Sequence, residues 1–344
     1  MRVAMLEAPR KLVLHDVAVP AAAAGCVLIR IAACGVCGTD IALYEGRLPV
    51  ALPYSLGHEY VGTVVQVGEG VGGFRSGDRA AVNPNAFCGT CAFCRRGHVH
   101  LCTRRSEARF KSNGGFADYT VVSTNIVHLL PPSLSFMVAV LAEPLSCALH
   151  ALERVPWRAG DSALIHGAGT MGLLTLQLLR MQGAAMIAVS EPDPARRQQA
   201  QRLGADIVLD PTTRDIPAEV RKAAADGVEL AVDCSGAARI TSHSLRALKK
   251  GGTVLLVGLA RPDESAEIAP HAFVENEWSL VGAVLNPFQF SRAVDLLATG
   301  RISAGDWVTP FELARVEEAI LSAREGTTVK SVVVGETGDE AGPA

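Results

Sequence analysis

Apolar and polar residues alternate through the opening stretch MRVAMLEAPRKLVLHDVAVP, the period of two expected of a half-buried strand. The run CVLIRIAACG predicts a second strand, which ends in the glycine-flanked turn GVCGTD. LGHEYVGTVVQVG predicts another, with His58 and Glu59 at its entrance. The second half of the chain changes rhythm. GDSALIHGAGTMG and the residues after it, as far as GADIVLD, read as a short buried strand, a glycine-rich turn, an amphipathic helix, a second strand and a second helix. VELAVDCSG and GGTVLLVGL continue as two more buried strands with a helix between them, and WSLVGAVL predicts a sixth strand. Strands that alternate with helices imply a parallel sheet, so the expected class is α/β. The length of 344 residues suits two domains at roughly 100 to 200 residues each.

The formal net charge of -3 leaves no polybasic surface to concentrate phosphate backbones, which argues against a nucleic-acid partner. Glycines, charges or turn residues interrupt every apolar run before about 18 residues, so no membrane span is expected. The N-terminal stretch has neither an apolar h-region nor a small-residue cleavage site, and the expected location is the cytoplasm.

Nine cysteines in a reducing compartment should be free thiols or metal ligands rather than disulfides. Four of them, Cys88, Cys91, Cys94 and Cys102, fall within CGTCAFCRRGHVHLC at the spacing C-x2-C-x2-C-x7-C. A tight loop converges three thiolates and a short return brings the fourth, which is the closed tetrahedral arrangement of structural zinc. Iron-sulfur clusters use other spacings. Arg95, Arg96, His98 and His100 in this loop read as solvated side chains. Cys26, Cys34, Cys147 and Cys234 have apolar neighbours and read as inert core thiols. Cys37, in its glycine-flanked turn, differs from them. Alone, Cys37, His58 and Glu59 would more often be structural than ligands.

Gly167-Ala168-Gly169-Thr170-Met171-Gly172 is a G-x-G-x-x-G turn in the strand-to-helix context that dinucleotide binding requires. Gly167 permits the tight turn, Gly169 lets the backbone approach a pyrophosphate, and Gly172 lets helix and strand pack closely. Glu191 ends the next strand about twenty residues on, where a carboxylate accepts the ribose hydroxyls of NAD and repels the 2'-phosphate of NADP. Arg196 and Arg197 nearby work in the opposite sense. Glycines at the carboxyl ends of the next two strands mark where ligands of open parallel sheets lie, and Cys234, Val257 and Gly258 there, with Leu285 after the sixth strand, are candidate cofactor-binding residues. His166, inside the first of these strands, reads as a hydrogen-bonded core histidine.

GVCGTD, LGHEYVG, the four-cysteine lobe, GGFADYTVV, LAEPLSCALHAL, GAGTMG and SEPDPARR occur in the order and spacing of the zinc-dependent medium-chain dehydrogenases. Across nearly the whole chain the sequence resembles that family, and most of all its polyol (sorbitol-like) and butanediol dehydrogenase branch. The resemblance implies a β-rich GroES-like catalytic domain over 1–150 that carries the zinc lobe 88–102. It also implies a Rossmann NAD-binding domain with a doubly wound parallel sheet over 151–285, and a return to the catalytic domain over 286–344. TGDEAGPA at the end reads as a loose tail. Homodimers or homotetramers are the family's habit.

The same resemblance assigns Cys37, His58 and Glu59 as catalytic zinc ligands. Glu143 stands where many alcohol dehydrogenases carry a cysteine ligand, with three roles open to it: binding zinc, exchanging with Glu59, or hydrogen-bonding a zinc-bound water. Asp40 matches the carboxylate behind the zinc ligands, and a helix-capping role would explain it equally well. Thr39 matches a proton-relay hydroxyl, but the histidine that often follows in the relay would fall at Ala42. The implied reaction is zinc-assisted hydride transfer from a secondary alcohol, either a polyol or a small diol, to NAD. Leu285, in GAVLNPF, occupies the position at which sorbitol dehydrogenases place an arginine. Asn286 is a neighbouring donor, and Phe110 and Phe116 are candidate pocket walls. Two other readings are a metal-independent NADPH quinone or enoyl reductase on the same scaffold and a non-catalytic zinc-stabilised binding module.

Overall fold

The structure is a computed structural model that describes residues 1–104 and 114–335; Phe110 and the TGDEAGPA tail lie outside the described residues. The chain divides into two compact units, Met1–Glu143 with Pro287–Ala344, and Pro144–Asn286.

In the first unit the strands before the boundary are β1 (Arg2–Ala8), β2 (Lys11–Asp16), β3 (Cys26–Gly35), β4 (Tyr54–Ser55), β5 (Glu59–Val67), β6 (Arg79–Val82), β7 (Tyr119–Ser123) and β8 (Val127–Leu129). In the second they are β9 (Ser162–His166), β10 (Met186–Ser190), β11 (Ile207–Leu209), β12 (Val228–Asp233), β13 (Leu248–Leu256) and β14 (Ser279–Gly282). The chain then returns to the first unit with β15 (Val308–Glu312) and β16 (Lys330–Val334).

The opening alternation forms the β1–β2 pair, in a small sheet ordered β2-β1-β4. The larger sheet of this unit runs β15-β16-β3-β5-β6-β8, with β7 paired to β3. Val27, Ile29 and Ile31 of β3 and Val64 of β5 meet Phe116, Phe311 and Val333 in the core. The return segment is therefore built into the sheet: β16 lies antiparallel to β3, with Val332 opposite Gly35. That pairing brings the start of β16 to the end of β3, next to the turn that carries Cys37.

The second unit is a six-stranded parallel sheet ordered β11-β10-β9-β12-β13-β14, the doubly wound order that reverses direction beside its first strand. Strand β9 is continuously buried after its first residue, as a strand covered on both faces must be. The helix Pro194–Arg202 starts where its sequence says it should, with Pro194 at the first position and the Asp193 carboxylate accepting from the Arg196 N–H at 2.8 Å.

One helical stretch, Phe136–Glu153, is long and apolar enough to cross a membrane by length and composition alone. Some 78% of it is buried inside the protein, as in a core helix. No disulfide joins any of the nine cysteines.

Candidate active site and metal centres

The Cys88 lobe is organised by its own backbone. Cys91 caps the short helix Ala92–Arg95, its sulfur accepting from the Cys94 N–H, while the Cys88 sulfur accepts from Cys91 and the Cys102 sulfur from Cys88 and Arg104. The four sulfurs lie within 4.8 Å of one another, with Cys91 to Cys94 at 3.4 Å and Cys88 to Cys94 at 3.9 Å. A tetrahedral zinc with sulfurs at about 2.3 Å sets its ligands about 3.8 Å apart, so the donor set fits that ion. The N–H groups of Thr90 and Cys91 hold the Cys88 thiol down to about 5, whereas loss of solvent and the hydrogen bond with Cys91 push Cys94 up to about 12. Without a cation, this cage holds back its own full ionisation. One expectation for the lobe is corrected. His100 is buried, because the turn Val99–Leu101 that returns Cys102 folds Val99 and His100 inward; Arg95, Arg96 and His98 remain exposed.

The second cluster comes from two chain turns. Cys37 precedes the helix Gly38–Tyr44, and His58 and Glu59 enter β5. One ligand atom from each of the three lies within 4.8 Å of the others. Asp40 ties the turns together. Its Oδ2 accepts from the Cys37 N–H at 2.9 Å, closing the helix cap, and its Oδ1 accepts from the Gly57 N–H at 3.0 Å. Oδ1 also lies 3.4 Å from Nδ1 of His58. A proton on Nδ1 facing Asp40 leaves Nε2 as the lone-pair nitrogen, the tautomer that a metal-binding histidine needs. Burial works against ionisation of Asp40, but His58 beside it and the N–H groups of Cys37 and Gly57 keep its pKa low. A thiolate, an imidazole and a carboxylate gathered in this way form an open set of three protein donors, which suits a zinc that keeps a position free for substrate.

Glu143 is buried and its charge acts on Lys330, but its carboxylate lies outside the three-atom cluster. Thr39 is half-buried in the first turn of the Gly38–Tyr44 helix, and Ala42 is buried. Sequence reasoning missed Lys330. It lies at the head of β16, is 2% exposed, and pairs with Glu59 while donating to the carbonyl of Val36 at 3.1 Å. The visible signal was a lysine opening the apolar run KSVVVG, but nothing local says which acid it meets.

In the second unit the glycine turn has the geometry its sequence demands. Gly167 has φ +94°, and a Cβ on Gly172 would lie 1.9 Å from the Gly167 carbonyl oxygen. A Cβ on Gly169 would meet nothing within 4 Å, which leaves space in front of the uncapped start of the helix Thr170–Met181. Thr170 and Met171 open that helix, so their N–H groups lie in its first turn, ahead of the intrahelical ladder. Gly258 packs against Gly236, where a Cβ would stand 2.2 Å from the amide nitrogen, and Val257 and Gly258 both donate to the Asp233 carbonyl. Glu191 is 5% exposed and its two oxygens accept from the N–H groups of Ala168 at 2.7 Å and Asp193 at 3.0 Å. Arg197 is committed elsewhere, to the carbonyls of Glu191 and Pro192 and to Asp210.

Two family models match the chain, the alcohol dehydrogenase GroES-like domain over residues 23–132 and the zinc-binding dehydrogenase domain over 170–299. The sorbitol dehydrogenase of Halalkalibacterium halodurans is 32% identical over 310 residues, 88% of this chain and 90% of that one. The chain belongs to the zinc-dependent medium-chain dehydrogenases. The L-threonine 3-dehydrogenase of Pyrococcus abyssi is 38% identical over 251 residues, 72% of each chain. Among solved structures, a zinc-binding dehydrogenase from Sinorhizobium meliloti with NADP bound superposes with a TM-score of 0.93 at 32% identity, covering 97% of this chain and 98% of that one. This medium-chain dehydrogenase is thus an oxidoreductase by family, with relatives in the polyol branch.

Other expectations change. His166 is buried as expected, but neither ring nitrogen has a hydrogen-bond partner among the described residues. Cys34 is a fully buried thiol, whereas Cys26, Cys147 and Cys234 are partly exposed: Cys26 opens β3 and Cys234 follows the end of β12, while Cys147 lies within the helix Ala142–Glu153. Phe116 is core packing against β1, β3 and β5 rather than a pocket wall. Asn286 is fully buried with its amide toward the Cys147 sulfur at 3.7 Å. Leu285 has a left-handed φ of 56°, a conformation that costs a non-glycine residue about 1 to 2 kcal/mol.

Proposed function

We propose that this protein oxidises a secondary alcohol to the ketone with NAD, using a catalytic zinc held by Cys37, His58 and Glu59 and a structural zinc held by Cys88, Cys91, Cys94 and Cys102. The observation that carries the proposal is the convergence of Cys37, His58 and Glu59 with Asp40 behind His58. When bound, the open-site zinc supplies Lewis acidity that lowers the pKa of an alcohol, and NAD supplies the hydride acceptor.

The chain's own residues do the rest. Asp40 fixes the His58 ring, Thr39 offers a hydroxyl to take the alcohol proton, and Glu143 supplies a second buried carboxylate near the centre. The proton route beyond Thr39 bypasses Ala42, which has no group to carry it. The Thr170–Met181 helix start and Gly169 receive the pyrophosphate, and Glu191 the ribose hydroxyls; Cys234, Val257, Gly258 and Leu285 complete the candidate cofactor surround. Because Arg197 is tied down, it leaves Glu191 to favour NAD. Arg196 remains as the counterweight. NADP use is the second reading, favoured by the nucleotide in the Sinorhizobium meliloti structure.

Sorbitol is a polyol and carbon 3 of L-threonine is a secondary alcohol, so the relatives share a secondary hydroxyl beside another polar carbon. An apolar Leu285 favours the smaller members of that class, short diols ahead of sugar alcohols. We also propose a cytoplasmic homodimer or homotetramer; β14 is the outer strand of its sheet, with Leu280 exposed on it and Val274 and Val284 exposed in the flanking segments. The test is to count zinc in the purified protein and to follow reduction of NAD and NADP across a panel of diols, polyols and L-threonine. Activity that survives complete removal of zinc would refute the proposal and support the metal-independent reductase.

A further inference from the structure

The glycine turn lies at the carboxyl end of β9, where Gly167 begins it. At the amino ends of β9, β12 and β13, within the same unit, lies a separate cleft of about 260 Å³ whose lining includes Trp157, Arg158, Asp161, Glu229 and Lys249. That is several times the roughly 30 Å³ a water occupies in the liquid. The five residues of β9 set the two ends about 17 Å apart at the rise of a strand, so an occupant of the cleft leaves the glycine turn free.

Glu229 is already satisfied. Its Oε2 accepts from the Ser162 N–H at 2.9 Å and the Ser162 hydroxyl at 2.6 Å, and its Oε1 pairs with Lys249. Partial burial raises its pKa, but the hydrogen bonds from Lys249 and Ser162 outweigh this and bring it down to about 2. Trp278 donates to the Lys249 carbonyl at 2.9 Å and holds that strand in place. The loop opposite is fixed by its backbone: the Arg158 N–H donates to Asp161 Oδ2 at 2.9 Å, and the Arg158 carbonyl accepts from the Asp161 N–H at 3.1 Å. Its side-chain donors are not so committed. Among the described residues the Arg158 guanidinium has no partner, and Trp157 Nε1 is buried with none.

Donors in excess of acceptors fit an anion. Asp161 beside Arg158 disfavours a dianion, since like charges set together are costly. We propose that this cleft is a second ligand site, for a small organic monocarboxylate: the Arg158 guanidinium takes the carboxylate, the Trp157 indole turns in to donate to it, and Val155, Pro156 and Leu230 receive a short apolar body. An unmet buried donor is costly, so an acceptor in the cleft favours the turned ring. Lys249 adds a second positive charge to the wall.

The test is calorimetric titration of the zinc-loaded full chain, with NAD present and at matched ionic strength, using butyrate, butyramide and inorganic phosphate as probes. Tryptophan fluorescence is followed alongside. The variants are Arg158→Gln, Trp157→Phe and Cys37→Ser, the last of which removes a ligand of the proposed catalytic zinc and so any carboxylate bound there.

Butyrate should bind wild type at least about tenfold more tightly than butyramide or phosphate. Arg158→Gln should weaken butyrate by about tenfold or more, the scale of a charged hydrogen bond, and Trp157→Phe by about fivefold, the scale of a neutral one. Cys37→Ser should keep the site, and butyrate should change the fluorescence of wild type but not of Trp157→Phe. No butyrate binding, equal affinity in wild type and Arg158→Gln, or binding lost in Cys37→Ser would overturn the second site. Phosphate bound more tightly than butyrate would overturn the carboxylate assignment. If Arg158→Gln does not fold, Trp157→Phe decides by its affinity and fluorescence. None of these failures touches the proposed function, because Trp157 and Arg158 belong to neither the zinc sites nor the glycine turn.

Discussion

Replacing His166 by leucine should remove an acid sensitivity that is built into β9. Both nitrogens of this histidine are buried without partners among the described residues, and burial, with a smaller contribution from His243, lowers its pKa from 6.5 to about 3. Between those two values the unfolded chain binds a proton at this position and the folded chain does not, so folding stability falls as the pH falls. Relative to neutral pH the loss reaches about 2 kcal/mol at pH 5 and approaches about 5 kcal/mol below pH 3. Leucine has nearly the same volume and no nitrogen to satisfy. At pH 7 His166→Leu should therefore be neutral or stabilising by about 1 kcal/mol. Urea unfolding of the two proteins without cofactor, at pH 7 and at pH 5, measures the difference. Zinc release and every other titrating group contribute to both proteins and cancel on subtraction. The expected result is that wild type loses about 2 kcal/mol more than the variant between the two pH values. Parallel pH dependence in wild type and variant would refute the reasoning, since His166 would then accept its proton inside the fold.

Metal analysis should find two zinc ions per chain. Cys94→Ser should lose the structural one together with thermal stability, and Cys37→Ser the other together with activity; two zincs in Cys37→Ser would contradict the assignment. Glu191→Gln should raise the efficiency with NADP relative to NAD by about tenfold or more, because a buried carboxylate repels the 2'-phosphate. Wild-type enzyme that uses both cofactors equally would show that Arg196 outweighs the acid. Leu285→Arg should shift kcat/KM from short diols toward five- and six-carbon polyols, by about 1 to 3 kcal/mol for each hydroxyl that gains a donor. The left-handed backbone strains arginine no more than it strains leucine, so unchanged preference in a well-folded variant would remove Leu285 from the substrate pocket.

The parts of this protein that are legible in its sequence are those whose physical cause is local. Gly172 must be glycine because of a carbonyl five residues earlier, so the nucleotide turn announces itself in six letters. The four-cysteine cage closes within fifteen residues, and its hydrogen bonds run between near neighbours. The alternation of buried strands and helices predicted the parallel sheet because each strand reports its own burial. The tertiary structure alone decided what depends on contacts between distant segments. Lys330 finds Glu59 because β16 pairs with β3, and Gly35 is required by two side chains that lie far from it in the chain. His166 lacks partners, His100 faces inward and Asn286 is sealed for the same reason: solvent access is a property of the packed whole. A residue type states which bonds it can make, but the partner and the exclusion of water are set only when the sheets close around it.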